Sequence, residues 1–205
     1  MAGTIREYAE ERGISYLTHF TRLENLKSIL EHGLILRNQL GSHSGNVFND
    51  RFRLDGTNAV CTSISFPNYK MFYRLRMEHT NVHWVVVAIH VSALWELPCA
   101  FCSANAASSS VTSISLDQRS SLNALKNMFS DFEQKKRSEL NIPNNYPTNP
   151  QAEVLMLNGV PKKYILGVAV DSSKVEEVLK KRFVGLQVLN TKRYFKPRED
   201  YSHWK

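Results

Sequence analysis

The chain has 205 residues, with 26 Lys or Arg against 19 Asp or Glu (net charge +7), 42% hydrophobic and 22% charged residues. This is the make-up of an ordinary soluble globular protein. It excludes a transmembrane helix, since no run approaches the ~20 apolar residues a bilayer demands, and a chain of this length can bury one domain's core without staples.

The basic excess suits a polyanionic partner, nucleic acid before a membrane surface, because no basic amphipathic helix with an aromatic face stands out. The opening Met1-Ala2-Gly3-Thr4-Ile5-Arg6-Glu7 lacks the apolar core of a signal peptide, so a cytoplasmic location is expected. Cys99 and Cys102 have Cys-x-x-Cys spacing. No second pair or spaced histidines complete a metal set, so these two and Cys61 are expected as small buried residues and no metal is expected.

In chain order, residues 4–12 predict a short charged helix. Residues 15–20 alternate as a strand does, and Thr21-Arg22-Leu23-Glu24 has the form of a capping box opening a helix with Leu23, Leu26, Ile29 and Leu30 on one face. Gly33 is placed to end that helix. Residues 37–58 are polar and aperiodic, and a loop of such length is commonly functional. Residues 59–65 read as a strand, 69–77 as a helix, and the apolar run from Trp84 as a buried strand. Residues 92–120 read as loop with short elements, and 121–133 as a helix with a basic end at Lys135, Lys136 and Arg137, which complements the helix dipole. A strand over 164–170, a helix capped by Asp171 and a strand over 184–189 close the chain. Early helices followed by several non-alternating strands predict an α+β fold, as a single domain over 1–205.

Asn144-Asn145-Tyr146-Pro147-Thr148-Asn149-Pro150-Gln151-Ala152-Glu153-Val154-Leu155 is a proline-punctuated loop running into an apolar strand, with Glu153 at the seam. A carboxylate held there by rigid backbone beside apolar surroundings is suited to act as a base or to grip a hydroxyl. The competing reading is a carboxylate on the solvated face of an edge strand. The C-terminal run interleaves Lys192, Arg193, Lys196, Arg198 and Lys205 with Tyr194, Phe195, Tyr201 and Trp204. Cations beside rings suit single-stranded nucleic acid, though the same rings can pack back on the core.

His19-Phe20-Thr21-Arg22-Leu23-Glu24-Asn25-Leu26-Lys27-Ser28-Ile29-Leu30, leading to Gly33-Leu34, resembles the opening of the DarT family of bacterial toxins. The likeness continues at Arg53-Leu54-Asp55-Gly56 and Pro67-Asn68-Tyr69-Lys70-Met71-Phe72, and is sharpest from Tyr146 to Leu155. It covers residues 15–170. The resemblance implies an ADP-ribosyltransferase fold with a central split, mixed sheet. It implies an enzyme that moves ADP-ribose from NAD onto a base of single-stranded DNA, with a macrodomain antitoxin as partner. His19, Thr21, Asn25 and Gly33 would then line the NAD site, Arg53 or alternatively Arg51 would act on the dinucleotide, and Glu153 would be the catalytic carboxylate. Asn145, Tyr146 and Thr148 would read the base, with Lys135, Lys136 and Arg137 on the substrate side.

The residue types suit that chemistry. Breaking the nicotinamide–ribose bond develops positive charge on the sugar, as in glycoside cleavage. A carboxylate facing the ribose stabilises that charge and can take a proton from an attacking base nitrogen. Arginine's planar fork matches a pyrophosphate. Duplex DNA hides the base edges, so an unpaired or flipped base is the sensible acceptor. Two alternatives stay open: the same fold acting on RNA, protein or water, and a non-catalytic single-strand binder resting on the C-terminus.

Overall fold

A computed structural model describes residues 2–40 and 58–205. Arg51 and Arg53 lie outside the described residues. Strands β1 (Tyr16–Arg22), β2 (Val60–Ile64), β3 (Trp84–His90), β4 (Cys99–Cys102), β5 (Glu153–Met156), β6 (Ile165–Val170) and β7 (Val188–Asn190) form one sheet. Its order is β4-β5-β2-β1-β3-β6-β7. Every neighbouring pair is antiparallel except β6 and β7, which run parallel and are connected through helix α8 (Ser173–Arg182). A parallel pair needs such a crossover, because a tight turn can only reverse the chain.

Alternation sends residues of each strand to opposite layers. Leu17, Val85, Val87, Ile89, Val154, Met156, Val168 and Val170 pack with apolar residues of α1 (Ile5–Arg12), α2 (Leu26–His32), α4 (Ala93–Glu96), α7 (Leu122–Asn127) and α8. On the other layer Trp84, Val86 and Ala169 meet Tyr69, Phe72 and Leu75 of α3 (Tyr69–Glu78), together with Tyr194 and Phe195. The C-terminal aromatics Tyr194, Phe195 and Trp204 are therefore buried, and only Tyr201 of the set stays exposed.

Several local expectations are corrected. Thr21 and Arg22 are not a helix cap: they pair with Val85 and Trp84, and this ladder keeps the backbone extended. A 3₁₀ turn over Leu23–Asn25 follows, and α2 starts without a side-chain cap. Capping boxes do occur at Thr4 with Glu7 and at Ser115 with Gln118. Ser172 rather than Asp171 caps α8.

The stretch 92–120 holds β4, which pairs with β5, plus short helices α5 (Ser109–Thr112) and α6 (Leu116–Arg119). Helix α7 spans six residues rather than the whole of 121–133. It stops because the Met128 carbonyl accepts from the Thr148 N–H at 2.9 Å, a partner far along the chain. Cys99 and Cys102 fall in different apolar clusters on opposite faces of β4, and burial pushes the Cys99 thiol up to about 12.

Candidate active site

The sheet splits between β1 and β2. Their ladder consists of Leu17 with Ile64 and Thr18 with Ser63, whereas β1 stays paired with β3 along its whole length and β2 pairs with β5 through Val60, Cys61 and Thr62. Where β1 and β2 part, the Cys61 carbonyl meets His19 Nδ1 at 2.8 Å. A carbonyl only accepts, so Nδ1 carries the proton and Nε2 keeps its lone pair. Burial holds the His19 pKa below its ordinary value, against the smaller opposing pull of that hydrogen bond, so the ring is neutral at physiological pH.

The split opens a cavity of about 630 Å³, within the range of small-molecule sites. His19, Thr21, Asn25, Gly33 and Glu153 all line it, so the structure brings these five sequence candidates together. They come from both sides of the sheet: His19 and Thr21 share the parity of Leu17, while Glu153 shares that of Leu155 in the opposite apolar layer. The Thr21 hydroxyl, released from capping, accepts from the Asn25 amide at 3.0 Å.

Gly33 lies in the left-handed region at φ 85°, and a Cβ there would meet the Val160 carbonyl oxygen at 2.2 Å. Its neighbour Leu34 forms an isolated bridge with Val160. The glycine is required by that backbone approach, whatever binds in the cavity.

Glu153 is the first residue of β5 and only 5% exposed. Its Oε2 accepts from the Ala106 N–H at 2.8 Å. The carboxylate is thus aimed by the loop leaving β4, and the reading of a solvated edge-strand residue fails. Asn105, beside it, also lines the cavity.

The loop preceding Glu153 is clamped from within. Arg137 donates to the carbonyls of Pro143, Asn144 and Tyr146 and to the Thr148 hydroxyl. Arg198 donates to the carbonyls of Pro147 and Thr148 and pairs with Asp200 at 2.9 and 2.5 Å. Asp200 also accepts from Trp204 Nε1.

Of the residues expected to face nucleic acid, Tyr146 and Thr148 are consequently internal and Arg137 is half-buried. Tyr146 is 5% exposed, and its ring packs against Phe66 while its hydroxyl accepts from Arg193. Thr148 is buried, and Arg137 spends its donors on the loop. Carbonyls with no strand partner must be satisfied by side chains, which explains these corrections. Lys135 sits over the Trp204 ring, Lys136 is exposed beside Glu139, and Asn145 is half-buried.

Sequence reasoning missed Arg198 and Asp200 as a unit. The signal available was an Arg-x-Asp triplet in an aromatic run, which reads equally as solvated charge. With Arg198 buried and three aromatics in the core, the C-terminus does not present the interleaved cations and rings that a single-strand binder would need.

The split-sheet cleft thus carries a buried carboxylate on one wall and a neutral histidine on the other. A family model described as "ssDNA thymidine ADP-ribosyltransferase, DarT" matches residues 18–204. The chain belongs to the DarT family. No protein of curated function matches it.

Among solved structures, it superposes on Thermosipho africanus DarTG in complex with ADP-ribose with TM-score 0.64 at 20% identity, covering 88% of this chain and 51% of that one. The chain thus spans about half the length of that relative. Thermus sp. 2.9 DarT in complex with ADP-ribosylated ssDNA gives TM-score 0.60 at 19% identity over 89% of this chain and 96% of the other. The same Thermus protein with carba-NAD+ gives 0.57 at 20% identity over 88% and 97%. The sheet with its flanking helices is accordingly the α+β fold of these transferases. No helix among the described residues is long and apolar enough to cross a membrane.

Proposed function

We propose that this chain transfers ADP-ribose from NAD to a thymidine base of single-stranded DNA, as the toxin of a pair whose antitoxin is a macrodomain protein. The observation that carries the reading is Glu153: a buried carboxylate aimed into the split by a backbone amide. Family membership and the substrates named for the Thermus proteins support it.

In this reading His19 Nε2 accepts from a ribose hydroxyl, and Thr21 and Asn25 hold polar atoms of the dinucleotide. Arg53 or Arg51, outside the described residues, is the arginine expected to act on the dinucleotide. As the nicotinamide–ribose bond breaks, its electron pair leaves with neutral nicotinamide and positive charge grows on the sugar. Glu153 faces that charge in surroundings that exclude water, where a carboxylate acts most strongly. Thymine N1 is already bonded to deoxyribose, so N3 attacks the sugar carbon and Glu153 takes its proton. A cytoplasmic location suits this reading, because NAD and DNA are both available there.

Mass spectrometry of thymidine-containing and thymidine-free oligonucleotides after incubation with NAD tests this. The expected product is one ADP-ribose per modified oligonucleotide, on the thymidine-containing set alone. Glu153→Gln keeps an acceptor for the Ala106 N–H and should retain the fold. Its transfer rate should fall by about 10² to 10⁴. A folded, fully active Gln variant overturns the assignment.

A further inference from the structure

A second cavity, of about 530 Å³, is lined by residues of β4, α5, α6 and α7. Its deepest charge is Arg119, which is only 7% exposed. Arg119 Nε donates to the Ile114 carbonyl at 3.1 Å, and Nη1 lies 3.8 Å from Cys102 Sγ, a weak acceptor. Among the described residues no carboxylate pairs with this guanidinium and no group accepts from its Nη2. None of the residues lining the cavity is acidic, and the exposed amides of Asn123 and Asn127 stand at its rim.

A buried cation without a counter-charge is costly unless something supplies one. A guanidinium that lines a polar-rimmed cavity with N–H groups to spare suits a tetrahedral oxyanion. Its position says which. Cys102, on the cavity wall, is the register partner of Glu153, and the segment that continues through Ser103 reaches the Ala106 amide that holds the Glu153 carboxylate. The cavity is therefore one strand away from the proposed transfer site, within reach of nucleotides flanking the modified base.

We infer that Arg119 binds a backbone phosphate of the acceptor strand and thereby registers the neighbouring thymidine at Glu153. The inference rests on the single-stranded DNA reading given above. Arg119 is a positioning residue that holds substrate rather than one that takes part in bond exchange.

The test uses the full chain and a thymidine oligonucleotide in which single linkages are replaced, one at a time, by neutral methylphosphonate. In the wild-type protein one linkage should raise the KM for oligonucleotide about tenfold, as expected for a lost charged hydrogen bond. Arg119→Gln should raise that KM equally for unmodified DNA, leave the KM for NAD unchanged, and lose all sensitivity to the critical linkage. Its binding should also lose about 0.7 of the slope of log affinity against log salt.

Because Arg119 also ties the Ile114 turn, a second variant guards against misfolding. Asn123→Asp places a negative charge at the exposed rim and should weaken oligonucleotide binding without lowering the melting temperature. Binding is followed by fluorescence anisotropy, so a protein that binds the strand yet transfers nothing would refute the transferase reading while still testing Arg119. Equal linkage sensitivity in wild type and Arg119→Gln overturns the inference. So does a rise in the KM for NAD alone, which would make the cavity part of the dinucleotide site.

Discussion

Removing the Arg198 guanidinium separates two jobs that the structure assigns to it. Its Nε and Nη2 pair with Asp200, and its Nη1 and Nη2 hold the carbonyls of Pro147 and Thr148. Arg198→Met leaves Asp200, 2% exposed, with Trp204 Nε1 as its remaining side-chain donor. Stranding one partner of a buried pair costs about 3–5 kcal/mol. At roughly 2–4 °C per kcal/mol for a chain of this size, the melting temperature should drop by about 6–20 °C.

Arg198→Met/Asp200→Leu removes the stranded charge as well, and replacing a buried pair by apolar groups is often close to neutral. Melting temperature should therefore recover in part, since Trp204 Nε1 and the two loop carbonyls still lack their partners. The carbonyls of the loop remain unheld, so the carboxylate that follows them stays misplaced and kcat should remain depressed on the order of 10²-fold. Melting followed by circular dichroism and steady-state ADP-ribose transfer at saturating NAD read the two effects separately. If kcat returns together with stability in the double variant, Arg198 does not position the loop and the argument is wrong.

His19→Asn should keep a donor for the Cys61 carbonyl while deleting the Nε2 acceptor, raising the KM for NAD with little change in melting temperature at neutral pH. The folded-state pKa of His19 is depressed, so below the ordinary value of 6.5 the unfolded chain binds more protons than the folded one. This contribution to stability is complete above 6.5 and is lost as pH falls toward the folded pKa; the Asn variant should show a flatter acid limb in urea titrations, and an unchanged limb would refute burial as neutral imidazole. Gly33→Ala should cost about 2–4 kcal/mol, because strain at positive φ adds to a collision with backbone that cannot yield. Gly13 is the control: it also has positive φ (68°) but open space around it, so Gly13→Ala should cost about 1 kcal/mol, and equal costs by denaturant titration would show that the Val160 approach is not what demands Gly33.

How far the sequence was legible follows from where each signal arises. Strands β1, β2, β3 and β6 were visible because their apolar residues border turn residues, and Glu153 was visible because a proline-rich loop runs straight into an apolar strand. β4 was hidden: Cys99-Ala100-Phe101-Cys102 is buried on both faces, so it lacks the alternation that marks a half-buried strand. The capping box at Thr21 failed because seven register pairs with β3 outweigh one local side-chain bond. Helix α7 was overcalled because Phe129 and Phe132 do sit at helical spacing, but the former fills the core and the latter packs near Trp204 from non-helical backbone. Thr148, Tyr146 and Arg137 look like recognition groups by type, and only their partners 9 to 47 residues away reveal that they hold the chain's own loops.

The same partners change what the net charge means. A formal +7 read as an electrostatic footprint assumes that each cation faces solvent. Arg198 is buried against Asp200, Arg137 is bound to four loop acceptors, and Arg76 donates to the Phe195 carbonyl while lying over Phe72. These guanidiniums satisfy carbonyls that no strand pairs with, and their charge is largely withdrawn from a passing strand. Among the described residues, the cations lining the split and the Arg119 cavity are Arg37, Lys70, Arg74 and Arg119. At about 0.7 per phosphate, three or four contacts give a slope of log affinity against log salt of about −2 to −3. Anisotropy titrations of a short thymidine oligonucleotide between low and physiological salt measure it directly. A slope of about −5 or steeper would mean that cations assigned here to loop carbonyls are reaching the DNA, and that the clamp around Glu153 opens when the strand binds.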